Sequence, residues 1–188
     1  HTGQTHEMNA FSWATLLALL SSFAVQAWLA RRQIQHVQRH RQQVQASFAH
    51  SITLQAHQKA ADYTCARSKL HIAGLLLDTI TVLLLTFGGG INLAAQLGSS
   101  WFDNTLLAGI STIALCLLAS SCAGLPLSLY RTFVLERRFG FNRTTPALFV
   151  ADLLRGTLLG ILIGGPVLAA ALWLLTDGGR FFWLWTWL

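Results

Sequence analysis

Two histidines have the residue type and the spacing of metal ligands. His36 and His40 lie one helical turn apart, and imidazole rings at that spacing can bind a metal ion together. Arg39 and Arg41 would repel a cation, however, and no carboxylate or cysteine lies close to them in the sequence. The sequence therefore favours a solvated polar helix face over a metal site.

Asp78 is the only ionisable residue well inside a long apolar stretch. A carboxylate is costly in the membrane interior, so such residues usually belong to a functional polar path. One hypothesis is that Asp78 lines a polar chamber. The alternative is an aspartate at the membrane surface, paired with Arg67 or Lys69.

Long uncharged stretches must position these groups. Of the 188 residues, 53% are hydrophobic and only 11% are charged, whereas soluble domains have about 25% charged residues. About 20 apolar residues in a helix cross the hydrocarbon core. The sequence thus predicts an all-α, polytopic membrane helical bundle and excludes soluble, disordered and disulfide-scaffold classes. The predicted full spans are residues 8–30, 72–97, 104–130 and 153–176, and residues 181–188 begin an incomplete fifth span.

The basic residues predict the topology. Of the 13 lysines and arginines, seven lie between Arg31 and Lys69 and five between Arg131 and Arg155. By the positive-inside rule both segments face the cytoplasm, so the N-terminus and the turns at Gly98–Asp103 and Asp177–Arg180 lie outside. Nucleic-acid binding is disfavoured despite the net charge of +6, because the basic segments carry few aromatics for stacking and no reading motif.

The polar segments next to the spans are predicted to be helical. Residues 31–70 contain no proline or glycine and keep apolar residues at helical spacing. We expect the first helix to extend to about Gln45, a break near Ser47–Thr53, and a second charged helix that enters the second span. Three glycines at residues 88–90 predict a kink or a helix end.

The fourth span has a predicted start and a smooth face. Thr145 can cap the helix, and Pro146 fits the first helical position. Farther along, Gly156, Gly160 and Gly164 recur every four residues, so a neighbouring helix could pack closely there. Packing within the chain is the favoured interpretation and dimerisation is the alternative.

The segment from Tyr130 to Thr145 is the most informative part of the sequence. By residue type alone it is an amphipathic connector between two spans on the predicted cytoplasmic side. Phe133, Phe139 and Phe141 can be buried, and Gly140 permits a turn. Its one acid can pair with a nearby arginine. These features indicate a structural role without chemistry.

This signature segment resembles the signature of the type I CAAX prenyl proteases, approximately Y-x-x-F-V-[IL]-E-x-[KR]-F-G-F-N-[KR]-x-T. Twelve of the sixteen positions fit the pattern. The matching residues are Tyr130, Phe133, Val134, Leu135, Glu136, Arg138, Phe139, Gly140, Phe141, Asn142, Arg143 and Thr145. The resemblance covers nearly the whole chain and is greatest to bacterial members, which implies a bacterial inner membrane.

The family consists of integral-membrane zinc metalloproteases that cleave the carboxyl-terminal tripeptide from prenylated proteins. The resemblance implies membrane helices around a large chamber, with zinc bound by HExxH and a distant glutamate downstream of the matched region. This sequence contains neither feature. No catalytic or metal-binding residue is therefore assigned, and zinc is expected only in the full-length protein.

The resemblance also implies a role and partners. Residues 8–188 are expected to be the N-terminal transmembrane domain, and residues 1–7 an upstream or artificial extension; the chain is expected to be a fragment. The expected partners are the lipid bilayer, the C-terminal catalytic region docked against the signature segment, and a peptide or protein substrate that is prenylated or not. The alternative function is a stand-alone membrane interaction or transport module that uses Asp78.

Overall fold

The computed structural model describes residues 9–42 and 53–177, and these residues form helices and short connections without a strand. The helices are α1 (Ala10–Arg39), α2 (Leu54–Thr86), α3 (Gly90–Trp101), α4 (Thr105–Leu129), α5 (Pro146–Leu159) and α6 (Gly165–Asp177). α4 continues into a π-helical segment, Tyr130–Glu136, and a second π-helical segment, Gly160–Gly164, joins α5 to α6.

Four helices are long and apolar enough to cross a membrane, which confirms the predicted all-α membrane class. They are Ala10–Arg39, Leu54–Thr86, Thr105–Glu136 and Pro146–Leu174. Their large apolar side chains point outward, as expected where the neighbour is lipid. Residues 181–188, where the sequence predicts the start of a fifth span, lie outside the described residues, as do residues 1–7.

The chain divides into two compact units. The first unit comprises the described residues of 1–83 together with 123–142, and the second comprises 84–122 together with the described residues of 143–188. The most buried side chains of the first unit are mostly small: Ala27, Ala30, Ala61, Cys65 and Leu135. In lipid the hydrophobic effect does not bring helices together, so they associate through close packing. Small side chains allow the helix backbones to approach closely.

Two helix ends differ from the sequence expectation. α1 ends at Arg39 instead of near Gln45, because the chain leaves the helix at His40 (φ −98°, ψ 8°). Gly98, expected in a turn, lies inside α3, and the turn begins after Trp101. The side chain of Asn104 accepts hydrogen bonds from the backbone N–H groups of Leu106 and Leu107 at 2.9 and 3.2 Å, which starts the next helix.

Two predicted helix boundaries are confirmed. The glycine triplet separates α2 from α3, and Gly89 adopts φ 79°, a conformation that other residues rarely tolerate. A Cβ at Gly88 would lie 2.6 Å from the carbonyl oxygen of Leu84. At the start of α5, Thr145 Oγ1 accepts a 3.2 Å hydrogen bond from the N–H of Leu148, and Pro146 occupies the first turn.

The glycine face of the α5–α6 helix lacks a packed neighbour within the described ranges. A Cβ at Gly156, Gly160 or Gly164 would meet nothing within 4 Å, apart from the helix's own backbone. The described residues therefore do not supply the expected partner within the chain, and close packing on this face stays a prediction. The glycine that is closely packed is Gly98, where a Cβ would lie 2.8 Å from the carbonyl oxygen of Ala108 in α4.

Candidate docking site at the signature segment

The signature segment ends a helix and reverses the chain at a glycine. Gly140 adopts φ 75°. Its N–H donates to the carbonyl oxygen of Arg137 at 3.1 Å, and the N–H of Phe141 donates to that of Glu136 at 2.8 Å. This pair of bonds is a Schellman motif, which satisfies the last carbonyls of a helix and needs a residue with positive φ. The positive φ of this turn thus favours glycine at position 140.

The turn brings two phenylalanines onto one tyrosine of α2. The ring centroids of Phe139 and Phe141 lie 5.4 and 4.9 Å from that of Tyr63, both in edge-to-face geometry. Lys59 Nζ lies 5.7 Å from the centroid of Phe141, within cation–π range. We call these four residues the Tyr63 cluster. Through these contacts, the end of the signature segment packs against α2.

Glu136 pairs with an arginine, as the sequence predicted, and the structure identifies which one. Arg131 Nε lies 3.3 Å from Glu136 Oε1. The Glu136 side chain is 23% exposed and that of Arg131 is 48% exposed, so water screens the pair and it contributes modestly. Leu135, between the two, is buried. This turn of the segment is therefore held by packing more than by charge.

A second ion pair joins the end of α1 to α2. Arg41 Nε and Nη2 donate to the two carboxylate oxygens of Asp62, both at 2.8 Å. These hydrogen bonds hold the pKa of the Asp62 carboxyl below its ordinary value. Asp62 belongs to the polar part of α2, before the uncharged run that begins at Ile72. Sequence reasoning missed this pair, because residues 21 positions apart across a break give no periodic signal.

The histidines make hydrogen bonds to backbone oxygens. The rings of His36 and His40 lie 4.4 Å apart, but His40 Nδ1 is 2.8 Å from the carbonyl oxygen of His36. His57 Nε2 is 3.1 Å from the carbonyl oxygen of His40. Among the described residues, histidine, cysteine, aspartate and glutamate form no group of three that could hold a metal. Zinc therefore does not fit the residues that the structure describes.

Asp78 is exposed on α2, and within the described ranges neither Arg67 nor Lys69 forms an ion pair with it. A polar chamber around Asp78 stays a prediction.

The candidate docking residues fall into two groups. Glu136, Phe139, Gly140 and Phe141 take part in the contacts within the first unit, and Phe133 and Asn142 are half-buried. The exposed remainder is Tyr130 and Arg138 in the first unit, and Arg143, which begins the second unit. The segment thus has an inner side that holds its own shape and exposed aromatic and cationic side chains that are available to a partner.

Comparisons with known proteins agree on one family. The family model described as "CAAX prenyl protease N-terminal, five membrane helices" matches residues 33–188. A protein of Oryza sativa named "CAAX prenyl protease 1 homolog" is 32% identical over 138 residues, which are 69% of this chain and 32% of the relative. The Homo sapiens protein of the same name is 29% identical over 180 residues, which are 90% of this chain and 38% of the relative.

A solved structure has the same fold. The crystal structure of S. mikatae Ste24p aligns with 91% of this chain and 41% of its own length, with a TM-score of 0.80 and 22% identity. The chain thus spans roughly a third to two fifths of the length of these relatives. The predicted membrane-chamber fold is confirmed.

Proposed function

We propose a function for the whole protein from one premise: this chain belongs to the CAAX prenyl protease family and matches its N-terminal membrane domain. The protein is a zinc metalloendopeptidase that cleaves near the carboxyl terminus of peptides or proteins, prenylated ones included. The family match over residues 33–188 carries this proposal. The signature segment supports it, because its matched residues form the Gly140 turn and the Tyr63 cluster.

In this proposal the chain provides the chamber wall and a docking surface. The membrane-length helices enclose part of the chamber, and the lipid bilayer surrounds them. In the first unit the exposed residues Tyr130 and Arg138 contact the C-terminal catalytic region, and in the second unit Arg143 does so. Cationic side chains suit a partner that presents carboxylates, since complementary charge aligns two protein surfaces.

The zinc ligands are expected in the downstream part of the full-length protein, which this chain does not span. The described residues provide no group of three metal ligands, and the sequence contains no HExxH pattern. Zinc would supply an activated water for peptide hydrolysis. The residues of this chain position helices and the docking surface, and none of them receives a chemical role.

We further propose that the N-terminus lies outside and the basic segments lie in the cytoplasm of a bacterial cell, with the protein in the inner membrane. The distribution of lysine and arginine supports this topology. Single cysteines at Gln42 and Ser99, in a variant without native cysteines, test it by labelling with an impermeant reagent. Labelling of both positions from the same side would contradict it.

The test of function uses the full-length protein. Purified protein should contain stoichiometric zinc and cleave a farnesylated CAAX peptide, and a zinc chelator should abolish cleavage reversibly. A zinc-loaded protein that cleaves neither prenylated nor unprenylated peptides would contradict the proposal.

The docking surface is tested separately by charge reversal. Arg138→Glu and Arg143→Glu should each weaken the association between the two parts of the protein, measured as faster separation of the parts after a proteolytic cut between them. Arg155→Glu is the matched control, because Arg155 is also exposed but lies outside the signature segment. If the two parts separated at the same rate in all three variants, the docking role would be wrong.

A further inference from the structure

The first unit contains an amphipathic cavity to which the proposed function assigns no role. Its volume is about 550 Å³, within the range of small-molecule sites. α2 provides Thr64, Arg67 and Ser68 to its wall, and the end of α4 with its π-helical continuation provides Leu127 and Arg131. Both cations and hydroxyl donors therefore converge on one space.

The cavity wall is positively charged. Among the described residues, Arg67 and Arg131 line it, and no aspartate or glutamate does. Glu136 pairs with Arg131 through Nε and is not itself part of the wall. The closest acid along α2, Asp62, is already bound by Arg41. An anion in the cavity would thus meet Arg67, which forms no ion pair within the described ranges, and Arg131, which it would share with Glu136.

The cavity lies where the polar part of the first unit becomes apolar. Its charged residue on α2, Arg67, comes before the uncharged run that begins at Ile72. On the apolar side, Leu127 packs against α2 about two helical turns beyond Arg67, where its Cδ2 lies 3.5 Å from the Cβ position of Gly74. Leu70 adds a second apolar wall residue. The cavity therefore becomes more apolar along α2, from Arg67 toward Leu70.

We propose that this cavity binds the phosphodiester headgroup of an anionic phospholipid. Guanidinium groups bind phosphate oxygens with charge-assisted hydrogen bonds, and basic pockets between membrane helices are suited to lipid headgroups. The leucines at the apolar end favour a lipid over free phosphate, because they can contact the glycerol and the start of an acyl chain. A prenylated peptide also combines a carboxylate with an apolar chain, so a competition experiment must separate it from the lipid.

The experiment uses the full-length protein in detergent and counts bound lipid by native mass spectrometry. Dioleoylphosphatidylglycerol should bind more tightly than dioleoylphosphatidylcholine, and Arg67→Gln should weaken phosphatidylglycerol binding about fivefold. Lys69→Gln is the matched control, because it removes a charge two residues away on α2 that does not line the cavity. It should leave binding unchanged.

Arg131 requires a second variant, since its removal also breaks the pair with Glu136. Arg131→Gln should weaken lipid binding, and Arg131→Lys should restore most of it if charge is what the lipid requires. Equal loss in Arg67→Gln and Lys69→Gln would overturn the proposal, since it would indicate a diffuse surface attraction.

Two competition arms identify the source of the anion. Inorganic phosphate and a farnesylated CAAX peptide are each added with phosphatidylglycerol at equal concentration. Failure of both to displace the lipid is the expected result. Displacement by phosphate would overturn the lipid assignment in favour of a soluble phosphate, and displacement by the peptide would show a substrate site.

Discussion

The signature segment and the α5–α6 helix were both singled out by sequence patterns, and their surroundings differ sharply. In the first unit, Phe139 and Phe141 meet Tyr63, which lies more than seventy positions earlier in the chain. On the α5–α6 helix, a Cβ at Gly156 or Gly160 would meet nothing within 4 Å beyond its own helix backbone. One pattern has its partner inside the described residues and the other does not.

The difference follows from what each pattern specifies. Aromatic edges, a positive-φ glycine and an ion pair each require a particular neighbour or conformation, so a matching set constrains the fold. A row of glycines requires only that some surface come close, and it does not say which one. A pattern of specific residue types thus identifies its contact partner better than a row of small residues does.

The largest expected effect compares one substitution at two glycines. Gly98→Leu should destabilise the second unit by about 3 kcal/mol, because its Cβ would lie 2.5 Å from Ser111 Oγ and 2.8 Å from a backbone oxygen of α4. Against the described residues alone, Gly160→Leu should change stability by less than about 0.5 kcal/mol, because a Cβ there would meet nothing within 4 Å. Unfolding by denaturing detergent measures both. A large loss in Gly160→Leu would reveal a helix partner outside the described residues.

A smaller effect is expected at the Tyr63 cluster. Tyr63→Ala removes both edge-to-face contacts and should cost about 2 kcal/mol, since an aromatic pair contributes about 0.5–1.5 kcal/mol beyond its buried area. The control is Tyr130→Ala, because Tyr130 is 51% exposed. Thermal unfolding in detergent compares them. Equal melting temperatures would mean that the cluster does not fasten the signature segment.

The smallest effect is a pH dependence at Asp62. Because Arg41 lowers the pKa of Asp62 in the folded protein, the pair stabilises the fold above the unfolded pKa of about 3.9 and loses that contribution as the pH falls through the folded pKa. The melting temperature of Asp62→Asn should therefore be lower than that of the unsubstituted protein at neutral pH. The difference between the two melting temperatures should become smaller below about pH 4. Asp152→Asn, at a more exposed pair, is the control. If the difference in melting temperature did not change with pH, the ion pair could not be its cause.

Much of the fold could be predicted from local signals. Apolar length predicted a membrane helical bundle, and four helices are long and apolar enough to cross a membrane. Thr145 and Pro146 marked a helix start through capping chemistry, and Gly140 marked a turn. These features depend on residues within a few positions of each other, which is the range over which a sequence pattern is readable.

The contacts that could not be predicted join distant parts of the chain. Nothing in the sequence pairs Arg41 with Asp62, or Tyr63 with the two phenylalanines, because such pairing depends on how the helices pack. The early end of α1 at Arg39 had a similar cause. Apolar residues keep helical spacing beyond that point, so periodicity alone did not place the end.

We expect this chain to contribute structure and not chemistry, and a substitution of Glu136 offers the sharpest test. In the full-length protein, Glu136→Gln breaks the pair with Arg131 at the half-buried turn of the signature segment. The expected result is a lower melting temperature, stoichiometric zinc in the folded fraction, and an unchanged cleavage rate per folded molecule. A variant that folds normally and retains zinc but no longer cleaves peptide would give Glu136 a chemical role, and the structural interpretation would be wrong.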